Sequence, residues 1–137
     1  MPKRKASLYP PPVQDLIAAK SAVLSKAQAF AELGMADMVR TLWASAAEYE
    51  ARLAPLLEAL GHDLEAAVHR ISGAGCYRRA GDLTGAANLY RGALAGPLLP
   101  HTRREVEQQL AECIAELSSS TFGSASRRRP EQARTKA

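Results

Sequence analysis

The sequence is poor in the residues that form strands and lacks the features of membrane or secreted proteins. Aromatic residues make up 5% of its 137 positions, and valine and isoleucine are sparse. A sheet is therefore unfavourable, because strands prefer β-branched and aromatic side chains. No apolar run approaches the roughly 20 residues needed to span a bilayer. The opening segment, MPKRKASLYPPP, is basic but lacks the apolar stretch of a secretory signal. These absences predict a cytoplasmic protein that makes no membrane contact.

Motifs for catalysis or for binding a cofactor are also missing. The sequence contains no glycine-rich phosphate loop, no HExxH and no nucleophilic serine motif. His62, His69 and Cys76 recur every seven residues, but seven residues of helix rise about 10.5 Å. One ion cannot take ligands that far apart, because metal–ligand bonds are only about 2.0–2.3 Å long. We therefore predict no enzyme activity, no cofactor and no metal site, with His69 near Glu65 on a partly exposed edge.

Cysteine is represented by two residues, Cys76 and Cys113, which are far apart in the sequence and form no CxxC pattern. In a cytoplasmic helical protein, small buried thiols are the usual outcome. We predict that both are structural and free, and not a disulfide or a reactive thiol.

Charge is concentrated at the two ends of the chain. The net charge is +4, yet residues 1–5 and residues 119–137 are strongly basic, which leaves the segment between them mildly acidic. A nucleic-acid-binding domain is expected to carry a basic face, so the central segment does not fit that class. The tails, with Arg127, Arg128 and Arg129, could still contact polyanions. A nucleic-acid-associated protein that uses its tails is thus the alternative function.

What the sequence has in abundance is alanine, at 27 positions, and apolar residues at helical spacing. The pattern predicts an extended basic, proline-rich arm over residues 1–12, a helical domain over 13–118 and a disordered tail over 119–137. Helices are expected at 13–33, 36–53, 63–80, 83–95 and 102–117. Gly34, Gly61 and Gly81 would end helices, Pro55 would kink or end the second, and Asp82 and Thr102 would cap the fourth and fifth. The fold class is all-α, with about five helices in antiparallel hairpins.

An internal repeat supports this architecture. When the chain is shifted by 47 residues, small, aromatic and glycine positions coincide. The matched pairs are Ala27 with Ala74, Phe30 with Tyr77, Gly34 with Gly81, Trp43 with Tyr90, and Ala46 with Ala93. Small residues allow two helices to approach closely, and the aromatic residues fill the space between hairpins. Tyr77 and Tyr90 are therefore expected to pack across the turn at Gly81.

The stretch from Tyr77 to Leu94, YRRAGDLTGAANLYRGAL, resembles the latter two-thirds of a tetratricopeptide repeat. The resemblance covers roughly residues 20–47 and 67–98. The repeat unit of that family has about 34 residues, and the extra residues here, 48–60, would lengthen the second helix or add a kinked turn. The resemblance implies a short right-handed solenoid in which the first helix of each hairpin lines a concave face. It also implies that this face binds a peptide or a helix of a partner protein.

The candidate partner-binding residues follow from that alignment. They are Leu24, Gln28 and Glu32 in the first hairpin and Ile71, Arg78 and Arg79 in the second. Arginine in a groove suits a carboxylate, because its guanidinium donates two parallel hydrogen bonds. The alternative is that Arg78 and Arg79 are surface charges paired with Asp82 or Glu105. A further possibility is a homo-oligomer formed through the open end of the solenoid.

Overall fold

The described part of the chain forms five helices. The computed structural model describes the backbone of residues 9–136 and the side chains of residues 9–119. The helices are α1 (Pro11–Glu32), α2 (Ala36–Ala59), α3 (Asp63–Ala80), α4 (Leu83–Leu94) and α5 (Pro100–Lys136). Between residues 9 and 136 the chain forms no strand. Each helix packs against the next one along the chain, which gives a stack of antiparallel hairpins. The predicted all-α class with five helices is confirmed.

The predictions for the two ends of the chain, the arm and the tail, concern residues that the structure describes only in part. Residues 1–8, which include the basic part of the predicted arm, are not among the described residues. Helix α1 begins at Pro11, so the last two residues of the predicted arm belong to the helix. Helix α5 runs past the end predicted near Leu117 and reaches Lys136. The side chains of residues 120–137 lie outside the described residues, so the predicted disordered tail and its arginines remain a prediction.

Three connections are built on the same turn. Gly34, Gly61 and Gly81 all have positive φ, between 74° and 86°, a conformation that glycine adopts without steric penalty. At each turn the residue after the glycine donates its backbone N–H to the carbonyl five residues earlier, for example Asp82 to Tyr77 at 2.8 Å. This is the Schellman pattern that satisfies the last carbonyls of a helix. The predicted helix ends at these glycines are confirmed.

Helix α2 continues where a break was expected. Pro55 lies inside a helix of 24 residues that ends at Ala59. The predicted end near residue 53 was therefore wrong, and of the two alternatives for residues 48–60 it is the lengthened second helix that forms. A proline inside a helix costs about 3 kcal/mol, because it removes one hydrogen bond and crowds the preceding turn. Here Leu53, Ala54 and Leu57 are fully buried on both sides of the proline. Burial of each leucine contributes about 1.5–3 kcal/mol, which is enough to offset the cost of the proline and continue the helix to Ala59.

Of the two predicted helix caps, Asp82 and Thr102, one is present in the structure. Asp82 caps α4 and accepts a hydrogen bond from the backbone N–H of Gly85 at 2.8 Å. Thr102 does not cap α5, because that helix already begins at Pro100. Instead, Arg103 donates to the carbonyls of Leu94 and Gly96 at 2.7 and 2.8 Å. This guanidinium satisfies carbonyls at the end of α4 and joins α4 to α5.

The core is made mainly of alanine, so the helices lie close together. One cluster fills the space between α3, α4 and α5 and includes Tyr90 and Val106. The others lie between α1, α2 and α3, around Leu53 and around Ala46. Tyr77 packs against the first cluster and also against the Ala46 cluster, and Tyr90 is buried. The expected packing role of the two tyrosines is confirmed.

Candidate functional site

A groove follows the face of α3 that the other described helices leave uncovered. Its main cavity has a volume of about 480 Å³. Helix α3 forms the base, α1 and α5 contribute on either side, and α2 and α4 reach it from below. The lining residues are Leu24, Ser25, Gln28, Trp43, Glu50, Ile71, Ser72, Gly75, Cys76, Arg79, Tyr90 and Gln109. The groove thus combines apolar, amide, hydroxyl and guanidinium groups.

The structure brings together most of the predicted partner-binding residues. Leu24, Gln28, Ile71 and Arg79 line the main cavity. Arg78 lines an adjoining cavity of about 300 Å³, which Arg79 and Gly75 share. Glu32, at the end of α1, is exposed and lines neither cavity.

Arg79 is the cation of the groove. Its guanidinium lies over the ring of Trp43, 4.8 Å from the ring centre, which is within the range of a cation–π contact. Among the described side chains, no carboxylate forms an ion pair with Arg79. The expected pairing with Asp82 or Glu105 was wrong for this residue. Arg79 is therefore held in place by an aromatic face and keeps its donors for another acceptor.

Arg78 has a different role from its neighbour. It reaches α5 and pairs with Glu112 at 3.5 Å and Glu116 at 3.1 Å. The alternative that Arg78 is a paired surface charge is the one observed, although its partners are not Asp82 or Glu105. Exposed pairs of this kind contribute about 0–1 kcal/mol each, so their main effect is to fix where α5 lies beside α3.

A buried charge, which is not among the predicted site residues, lies at the base of the groove. Glu50 is 3% exposed. Its carboxylate lies 3.3 Å from the Lys20 ammonium and 2.6 Å from Nδ1 of His69. The expectation that His69 accompanies Glu65 was wrong, since Glu65 instead accepts a hydrogen bond from Tyr9. The burial of Glu50 could have been predicted from its position in the sequence, because Glu50 follows Ala46 and Ala47 by one helical turn on the inward face of α2.

Both cysteines are free and buried, as predicted. Burial raises the pKa of each thiol above its ordinary value of 9.0, with a smaller contribution from Glu50 at Cys76. Burial likewise raises the pKa of Tyr77 above 10.0, and the hydrogen bond to Glu65 does so for Tyr9. The Cys76 thiol in the groove therefore stays protonated at neutral pH and is a poor nucleophile.

These shifts predict a loss of stability in alkali. A raised pKa means that the folded state holds its proton more tightly than the unfolded state. The contribution is complete below the unfolded pKa, near 9 for the thiols and 10 for the tyrosines, and disappears as pH rises further. We expect the free energy of unfolding in urea, measured under reducing conditions, to fall above about pH 9. The Cys76→Ala/Cys113→Ala variant should show a smaller fall, and a stability that rises above pH 9 would contradict this.

The described residues contain no group of three or more His, Cys, Asp or Glu side chains that could hold a metal ion. In the same part of the chain, none of the helices combines the length and the apolar character needed to cross a membrane.

Comparison of the chain with models of protein families, with curated proteins and with solved structures gave no match.

Proposed function

We propose that this protein is a non-catalytic interaction module, similar to a tetratricopeptide repeat, that binds a peptide or helix of a partner protein in the groove along α3. The observation that carries the proposal is Arg79, whose guanidinium lies over Trp43 beside an apolar surface and has no acidic partner among the described side chains. A bound segment with an acidic side chain would complete the hydrogen bonds of this guanidinium. Its apolar side chains would cover Leu24 and Ile71 and remove them from water.

The arrangement of the helices and the state of the thiol support the same proposal. Helices α1, α3 and α5 all contribute to one groove, which is the face that the tetratricopeptide resemblance implies for binding. Cys76, the strongest nucleophile among the lining groups, has a pKa raised by burial. Recognition without covalent chemistry therefore fits this groove best.

A peptide-display selection with a blocked variant tests the proposal. At Gly75 an added Cβ would meet only the Arg79 Nη1 atom, at 3.4 Å, so Gly75→Leu should fold and place its side chain in the groove. We expect a random peptide library to yield binders to the native protein that lose about tenfold or more affinity for Gly75→Leu. Trp43 is the sole tryptophan, so its emission should change when these peptides bind.

The matched control is Arg91→Ala, which removes an arginine from the exposed side of α4, where the described side chain bonds only to Asn88. Affinity should survive this change and fall in Arg79→Ala. Selected peptides that bind the native protein and Gly75→Leu equally, or a library without binders, would contradict the proposed function.

A further inference from the structure

The open face of α3 extends beyond the main cavity as one continuous stripe. Leu64, Val68, Ile71, Gly75 and Arg79 follow one another at steps of three or four residues, which places them on the same side of the helix. Leu64 and Val68 are 46% and 48% exposed. They line a second cavity, of about 570 Å³, at the amino-terminal end of α3. From Leu64 to Arg79 the stripe is about 22 Å long, or about four helical turns.

The two ends of this stripe have opposite charge. Asp63 and Glu65 lie in the first turn of α3, and Arg79 lies in its last turn. Arg78 beside it is already paired with two glutamates of α5, so Arg79 supplies the positive charge at that end. Between them the stripe is apolar, and at Gly75 it has no side chain, so that a partner backbone can come close there. A ligand that matches this surface must be apolar in its middle, acidic at the Arg79 end and basic at the Asp63 end.

The backbone chemistry of the groove distinguishes a helix from an extended peptide. The base of the groove is the side of a helix whose own N–H and C=O groups are used internally. It therefore offers an extended peptide no ladder of backbone partners, and buried peptide groups without partners are costly. A helix satisfies its own backbone groups and presents apolar side chains at the same spacing as the stripe.

From these observations, and resting on the proposed function, we infer that the groove binds an amphipathic helix of about four turns, antiparallel to α3. Its amino-terminal acidic residues lie at Arg79, and its carboxy-terminal basic residues lie at Asp63 and Glu65. This orientation also suits the partner alone, because acidic residues stabilise the start of a helix and basic residues its end. An antiparallel partner helix would also pack on α3 in the same way as consecutive helices pack on each other within the protein itself.

Three synthetic peptides of about 16 residues test this inference on the full chain. All have the same composition and contain no tryptophan. The first has glutamates at its start, leucines at every third or fourth position and lysines at its end. In the second the glutamates and lysines are exchanged. The third keeps the charges of the first but scatters the leucines around the helix. Binding is measured by calorimetry and by Trp43 emission.

We expect the first peptide to bind about tenfold more tightly than the second, and the third to bind weakly or not at all. Arg79→Glu should lower affinity for the first peptide and raise affinity for the second, because the charge at that end is reversed. Arg91→Glu makes the same change of net charge outside the groove and should leave the ranking of the peptides unchanged. Gly75→Leu should weaken the first peptide.

Equal binding of the first and second peptides, or no binding of any of the three, would overturn the helical partner and its orientation. Display-selected peptides that are still blocked by Gly75→Leu would then leave the proposed function standing, with a different kind of ligand. A protein that dimerises in sedimentation experiments, and loses the dimer in Gly75→Leu, would show a second copy as the occupant and would also overturn this inference.

Discussion

Replacing Glu50 with alanine is expected to lower the free energy of unfolding by about 3–5 kcal/mol. The carboxylate is 3% exposed and lies between Lys20 and His69, at 3.3 and 2.6 Å. Its removal leaves the Lys20 ammonium, whose side chain is 16% exposed, without its counter-charge near the core. An unpaired buried charge is far less stable than either an intact pair or an apolar replacement. Urea denaturation followed by circular dichroism measures the difference.

Two further variants separate the lost charge from the lost volume. Glu50→Gln keeps the shape of the side chain and an acceptor for His69 but removes the charge, so its loss of stability should be smaller. The Lys20→Met/Glu50→Leu variant replaces both charges with apolar groups, and such replacements of buried pairs are often neutral. We expect it to regain most of the stability that Glu50→Ala loses. A loss below about 1 kcal/mol in Glu50→Ala, which is the range of exposed pairs, would show that the pair contributes little.

The turns of this fold could be predicted because their causes are local. Gly34, Gly61 and Gly81 end helices through the conformation of a single residue, and such residues are visible in any sequence. Local signals alone left the continuation of α2 through Pro55 as one of two alternatives. It depends on Leu53 and Leu57 being buried against other helices, which is a long-range effect that exceeds the local penalty of proline.

The candidate site was predictable in outline and not in its pairings. The repeat alignment placed Leu24, Gln28 and Ile71 on one face, and they do line the same groove. It could not show that Arg79 stacks on Trp43 while Arg78 reaches Glu116. Adjacent residues on a helix point about 100° apart. The neighbour that each of the two arginines contacts therefore depends on how α3 is rotated about its own axis. The sequence pattern does not define that rotation precisely enough to assign the two contacts.

The close contact between α2 and α3 at Gly73 could not be predicted from the sequence either. The second large prediction follows from this contact. We expect Gly73→Ala to lower the free energy of unfolding by about 1–3 kcal/mol. An added Cβ would lie 2.8 Å from Leu89 Cδ1 and 2.9 Å from Glu50 Cβ. The leucine methyl can move, but Glu50 Cβ is fixed close to the backbone of α2. The two helices must therefore separate, and the Glu50 pair is disturbed with them.

Gly75→Ala is the matched control, made two residues away on the same helix. Its added Cβ would meet only the end of the flexible Arg79 side chain, at 3.4 Å. Inside a helix, alanine is more stabilising than glycine by about 0.5–1 kcal/mol. The same gain applies to Gly73→Ala, so the steric clash at that position must cost more than this gain for the variant to be destabilised. Urea denaturation should therefore show opposite signs for the two variants. The open stripe of α3 is defined by Gly75 facing the groove while Gly73 faces α2. If both substitutions changed the free energy of unfolding in the same direction, these two faces of α3 would be assigned wrongly. The assignment of α3 as the base of the groove would then fail as well.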